Sequence, residues 1–233
     1  MKVLIIIPAY NEQDNILATI ADIQKNAPFG DYIVINDCST DSTKSVLQLE
    51  RANYLDLPVN LGIGGGVQTG YRYALENDYG IAIQFDGDGQ HDASYIKKLI
   101  EPLEKGEADI AIGSRFIEKE GFQSSPLRRV GIKFLSDLIH LLCGVRVYDV
   151  TSGMRAVNKR VIREFAQNYA QDYPEPEAIL SSGLDGARII EIPVKMRERQ
   201  NGTSSINAMK SMYYMIKVSL ALIIGRITMG RSH

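Results

Sequence analysis

The 233-residue chain is 45% hydrophobic and 23% charged, with a formal net charge of −2, a balance that suits one globular α/β domain with a sizeable core. The near-neutral charge and a pI of about 6.0 exclude a global electrostatic footprint for nucleic acid, so an anionic ligand has to be held by a local site. Two cysteines, Cys38 and Cys143, match neither a disulfide framework nor a zinc spacing and read as packing residues of a reducing compartment.

The run Val3-Leu4-Ile5-Ile6-Ile7 before Pro8 is short and lacks a small-residue cleavage site, so it predicts a buried strand rather than a signal peptide, and a cytoplasmic protein. From Lys2 to Ile112 short β-rich runs alternate with longer helical segments, the pattern of βα units feeding a mostly parallel sheet. Strands are expected at 2–7, 31–36, 80–85 and 109–113. A helix is expected from Asn11 to Lys25, where Ile16, Ile20 and Ile23 recur at helical spacing, and Thr40 or Asp41 caps a second that runs to Glu50. The strands end at Pro8-Ala9-Tyr10-Asn11-Glu12, Asn36-Asp37-Cys38-Ser39-Thr40-Asp41 and Asp86-Gly87-Asp88-Gly89-Gln90. Ligands of open α/β sheets collect at such carboxyl ends, so these clusters are expected along one edge. Beyond Gly113 come a loop from Glu120 to Pro126, an apolar-periodic helix from Leu127 to Leu142 and a strand from Arg188 to Val194. The expected division is a domain over 1–205, with a donor half at 1–113 and an acceptor half at 114–205, followed by a helix at 206–229.

The strand Ile81-Ala82-Ile83-Gln84-Phe85 delivers Asp86 and Asp88 to a glycine-bearing loop. Hard carboxylate oxygens suit Mg²⁺ or Mn²⁺, and Mg²⁺ takes one or two carboxylates plus substrate phosphates. An isolated Asp-Gly-Asp is as readily an acidic turn; its place after a strand favours a diphosphate clamp. Asp37, closing the second strand, is suited to a base or ribose, whereas Asp41 fits a helix cap better than a ligand. The glycine-rich stretch Asn60 to Gly70 enters a helix and offers N–H groups to phosphate, although close helix packing explains its glycines equally well. It lacks the Gly-Lys-Ser/Thr ending of a P-loop.

These segments, together with Gly113-Ser114-Arg115-Phe116 and Thr151-Ser152-Gly153-Met154-Arg155, resemble family 2 glycosyltransferases of the GT-A fold, in particular the branch that transfers sugars to dolichyl or polyprenyl phosphate. The resemblance spans residues 1 to 205. It implies an α/β, Rossmann-like single domain and inverting transfer from a UDP- or GDP-sugar, UDP being favoured. It places Pro8, Tyr10, Glu12, Asp37, Gly64, Asp86, Gly87 and Asp88 at the nucleotide-sugar, with Asp86, Asp88 and Gln90 on Mg²⁺ or Mn²⁺. Glycine at 87 and 89 departs from the Ala and Leu common in relatives and leaves the metal motif intact. His91 is as apt for a structural role in the first turn as for ligation.

A polyprenyl phosphate is already an anionic nucleophile, so residues that position it matter more than a base. Arg115, Arg128, Arg129 and Arg155 are the expected acceptor-phosphate contacts, because guanidinium forks fit phosphate oxygens; a solvated helix start is the other reading of Arg128 and Arg129. Asp88, Arg115, Arg155 and Glu177 are the expected catalytic residues, Glu177 serving as base, sugar ligand or helix-dipole partner. The segment Arg197 to Ser205 resembles a loop that closes over the diphosphate, with Gly202 as hinge.

In the last segment Met209, Met212, Tyr213, Ile216, Leu220, Ile223 and Ile227 recur at helical spacing, while the uncharged run Val218–Gly225 is far short of the roughly 20 residues of a membrane span. An interfacial amphipathic helix fits, and the same stripe suits the core or a homo-oligomer interface. The expected setting is therefore peripheral, at the cytosolic membrane face, directly or through a small membrane protein. The alternatives are a glycan acceptor, a non-catalytic nucleotide-sugar-binding subunit and a nucleotidyltransferase.

Overall fold

A computed structural model describes residues 1–118, 126–197 and 208–229. Its centre is a seven-stranded sheet in the order β3-β2-β1-β4-β6-β5-β7, built from β1 (Val3–Ala9), β2 (Asp31–Asn36), β3 (Tyr54–Asp56), β4 (Ile81–Gln84), β5 (Ile110–Ser114), β6 (Arg155–Asn158) and β7 (Ile189–Pro193). All neighbours are parallel except β6, which runs antiparallel between β4 and β5.

Every residue of β1 is buried, the signature of a strand covered on both faces. Its side chains alternate between two cores. Val3, Ile5 and Ile7 join the core under α1 (Ile16–Asn26), α2 (Thr43–Leu49) and α4 (Ile96–Glu104). Leu4 and Ile6 join the other, under α3 (Gly62–Glu76), α5 (Pro126–Cys143), α6 (Lys159–Gln167), α7 (Pro174–Leu184) and α8 (Ala208–Met229). There Tyr71, Phe165 and Tyr169 meet edge-on or tilted with centroids 5.0–5.4 Å apart, a favourable aromatic geometry.

The glycine-rich stretch is the first turns of α3. A Cβ on Gly70 would overlap Ile6, and one on Gly64 would overlap the backbone of Ala170 and Gln171, so these glycines let α3 lie close to the sheet and to the 170 segment. Ser42, rather than Thr40 or Asp41, is the N-cap residue of α2, yet the Asp41 carboxylate accepts the Thr43 N–H at 2.9 Å and so meets the same orphan donor.

α8 packs on α7 and α5 through Met215, Val218 and Leu222. The stripe of Tyr213, Ile216, Leu220, Ile223 and Ile227 is exposed, on the side of the helix away from those contacts. Among the described residues no helix is long and apolar enough to cross a membrane.

Candidate functional site

A cavity of about 370 Å³ opens at the carboxyl ends of β1, β2 and β4, lined by Pro8, Tyr10, Glu12, Asp37, Asn60, Gly62, Gly66, Asp86, Gly87 and Asp88 among others. It lies where β1 is flanked by β2 on one side and β4 on the other, the switch point at which α/β sheets bind ligands. The loops that build it are locked together. Asn11, at φ 58°, accepts the Thr40 N–H at 2.8 Å. The Glu12 N–H donates to Thr43 Oγ1 at 2.9 Å. Asp37, 4% exposed, accepts the Leu61 N–H at 2.7 Å and thereby ties β2 to the start of α3. Tyr10 is 49% exposed at the mouth, so its ring is open to stacking on a planar base.

At the floor, Asp86 Oδ2 lies 3.1 Å from His91 Nε2, and the His91 ring, 3% exposed, tilts on Phe85 with centroids 5.3 Å apart. Burial pushes the Asp86 pKa up, but His91, the Gln84 hydrogen bond and the Arg155 charge together hold it below its usual value, so the carboxylate is ionised at neutral pH. Asp88 Oδ1 accepts the Gln90 N–H at 3.0 Å. Among the described residues no cluster of three His, Cys, Asp or Glu side chains gathers as a metal cage. Two carboxylates on a cavity wall are the donor set of an ion that completes its shell with substrate phosphates and water, so the site fits Mg²⁺ or Mn²⁺ held with a diphosphate.

Residues 4–166 match the family model described as glycosyl transferase family 2. The chain belongs to that family.

This family 2 glycosyltransferase is 26% identical to the polyprenol monophosphomannose synthase of Mycolicibacterium smegmatis, over 99% of this chain and 90% of the relative. It is 28% identical to the UDP-N-acetylglucosamine–dolichyl-phosphate N-acetylglucosaminyltransferase of Methanococcus voltae, over 95% and 98%. Among solved structures, the glucosyl-3-phosphoglycerate synthase of Mycobacterium tuberculosis in complex with Mn²⁺ and UDP-glucose superimposes with a TM-score of 0.70 at 19% identity, covering 97% of this chain and 78% of that one. The shared architecture is the GT-A fold.

Of the residues expected at the nucleotide-sugar, Pro8, Tyr10, Glu12, Asp37, Asp86, Gly87 and Asp88 line the cavity of this glycosyltransferase; Gly64 does not. The α-carbon of Gly64 faces the Ala170 backbone, and the open side of α3 is carried by Gly62 and Gly66. Gln90 is also absent from the lining. Its backbone N–H donates to Asp88 Oδ1 and its carbonyl accepts the Arg197 N–H.

Arg155 is 1% exposed. Its Nη2 donates to the Ser152 carbonyl at 2.7 Å and its Nη1 to the Glu175 carbonyl at 3.2 Å. It braces the segment behind Asp86, whose carboxylate its charge helps to keep ionised. Arg115 is forked on the fully buried Asp149, with Nε–Oδ2 2.7 Å and Nη2–Oδ1 2.6 Å, and stands as an anchored charge rather than a mobile clamp. Arg128 lies within its field: partial burial first, then the like charge of Arg115, pull the Arg128 pKa down, while Asp149 and Tyr214 oppose this. Arg129 lines a different cleft, so the pair Arg128–Arg129 is split between two faces of α5.

Glu175 was not singled out by the sequence, yet its carboxylate accepts from Gln84 Nε2 at 3.4 Å. Burial raises its pKa, Arg155 lowers it and Asp86 raises it again. Glu177, two residues on, is raised by burial and then by the charge of Asp172. Arg197 pairs with Asp22 at 3.1 Å and with Asp92 at 3.2 Å, while Gly202 and the rest of the expected closing loop lie outside the described residues.

Proposed function

We propose that this protein transfers a hexose or N-acetylhexosamine, with inversion, from a nucleotide-sugar to polyprenyl phosphate at the cytosolic face of a membrane, a UDP-sugar being favoured over a GDP-sugar. The observation that carries the reading is the convergence of Asp37, Asp86 and Asp88 on one cavity at the switch point of the sheet. The UDP preference is supported by the Methanococcus voltae relative, whose name gives a UDP-sugar donor and a dolichyl-phosphate acceptor.

Asp86 and Asp88 hold a divalent ion, Mg²⁺ or Mn²⁺, which when bound supplies positive charge to the departing diphosphate. His91 and Arg155 keep Asp86 ionised and fixed for that task. Tyr10 covers the base, and the Asp37–Leu61 link holds the α3 entrance beside the diphosphate. Arg128, with Arg115 anchored behind it, receives the acceptor phosphate. That phosphate is itself the nucleophile, so positioning and charge stabilisation supply the rate enhancement without a dedicated base. Membrane association is peripheral, through the exposed stripe of α8.

The test is transfer of radiolabel from UDP- and GDP-sugars into organic-extractable lipid by purified protein with polyprenyl phosphate and Mg²⁺ or Mn²⁺. Labelled lipid that is abolished by EDTA and by Asp88→Ala is the expected result. Label entering only soluble glycans would overturn the acceptor assignment.

A further inference from the structure

The second cleft, of about 500 Å³, is lined by Phe116, Arg129, Lys133, Ser136, Asp137 and Arg146 among others, and shares no lining residue with the donor cavity. Arg129, Lys133 and Arg146 are basic, and Asp137 is the one acid in this lining. It is already matched by Arg146 at 2.6 Å. The cleft therefore keeps a positive balance although the chain as a whole carries −2.

Its surroundings are apolar and exposed. Val130, Phe134 and Leu141 are 67%, 53% and 81% exposed. Their spacing on α5 makes one ridge, between the cleft face of residues 129, 133 and 137 and the face where Gly131 meets Met215 of α8. Ile117 and Tyr148, at 42% and 55% exposed, edge the cleft itself. A cationic recess bordered by an apolar ridge matches a lipid at an interface, where the headgroup phosphate needs cations and the acyl boundary needs apolar cover. A soluble phosphate would use the cations and leave the ridge in water.

We infer that the cleft between α5 and residues 144–148 binds the phosphate of an anionic phospholipid, docking the protein on the membrane at a site separate from that of the reacting lipid. The inference rests on the membrane-facing reading above. Arg129 belongs to this docking site, while Arg128 serves the acceptor.

The experiment is partition of the full chain between buffer and phosphatidylcholine vesicles with or without phosphatidylglycerol, compared for wild type, Lys133→Gln/Arg146→Gln and Asp88→Ala. Both substituted cleft residues are exposed side chains, so the fold is retained. Wild type and Asp88→Ala should partition alike and in favour of phosphatidylglycerol, and the double variant should lose roughly twenty-fold of that partition, about fivefold for each cation. Turnover of a short-chain polyprenyl phosphate in detergent should be unchanged in the double variant. Equal partition of wild type and double variant would overturn the inference. So would displacement of wild type by inorganic phosphate beyond a chloride control of the same ionic strength, which would mark a soluble-phosphate site, or a raised KM for the short-chain acceptor, which would return the cleft to the reaction. Partition is read without turnover, so a missing transferase activity leaves this result standing.

Discussion

Gly153 lies so close against the Asp86 carboxylate that a single added carbon would overlap both of its oxygens. The Thr151–Arg155 segment thus acts as a mould for the Asp86 carboxylate, and the glycine is needed for space rather than for its backbone angles. Gly153→Ala should swing Asp86 out of place, lowering kcat at least tenfold and raising the Mn²⁺ concentration needed for half-maximal activity. An unchanged metal requirement would show that Asp86 does not hold the ion.

Asp88 bears on the cavity without being fully buried, and its local bond is to the Gln90 N–H. Asp88→Asn retains that acceptor and removes the charge. Activity should fall roughly 10²-fold or more, the scale of losing one electrostatic contact to a transition state, while thermal unfolding stays within about 1 °C of wild type by the usual scale of such surface changes.

The Arg115–Asp149 fork is buried on both sides, at 8% and 0% side-chain exposure. Arg115→Leu leaves a buried carboxylate without its main partner and should cost about 3–5 kcal/mol of stability, read by urea unfolding. Adding Asp149→Leu should recover part of that loss, because two apolar groups leave no orphaned charge. Additive losses in the double variant would refute this account of the pair.

Glu164 is pushed up to about 7 from an ordinary 4.5, by burial and then by the charge and hydrogen bond of Asp185, against Arg160. A folded-state pKa above the unfolded one means stability that is full below pH 4.5 and is lost as pH rises through about 7. Glu164→Gln removes that penalty. It should raise Tm at pH 8 by about 2–4 °C, the equivalent of about 1 kcal/mol in a domain of this size, and leave Tm unchanged or lower at pH 4. A scan of Tm against pH for both proteins decides it.

The cavity at the carboxyl ends of the strands was legible in the sequence because its residues follow their strands directly: the Pro8–Glu12, Asp37 and Asp86–Asp88 positions are set by local strand–loop geometry. β3 and β6 were not. β3 has three residues, too few for a periodic signal, and β6 exists through antiparallel pairing with β4 and β5, a long-range event that the Thr151–Arg155 motif does not announce. Arg155 consequently read only as a phosphate contact, and its place as a strand residue opposite Gln84 went unseen. Glu175 escaped notice for a related reason. Two residues apart on a helix point to different sides, and only the packed orientation of α7 says which one turns to the sheet. The apolar periodicity of α8 was clear, but periodicity alone does not say which face a neighbour covers; Met215, Val218 and Leu222 are inside and the stronger-looking stripe is outside.

The antiparallel β6 also bears on how the molecule comes into being. During synthesis Asp86 and Asp88 leave the ribosome well before Arg155–Asn158, yet β4, the strand that leads into them, has no neighbour on its far side until those four residues arrive. A nascent chain ending at Ser114 would leave one edge of β4 and both edges of β5 unmatched, since β6 and β7 are still to come. A fragment cut at the end of β5 should therefore be prone to edge-to-edge aggregation, although every residue lining the cavity is already present in it.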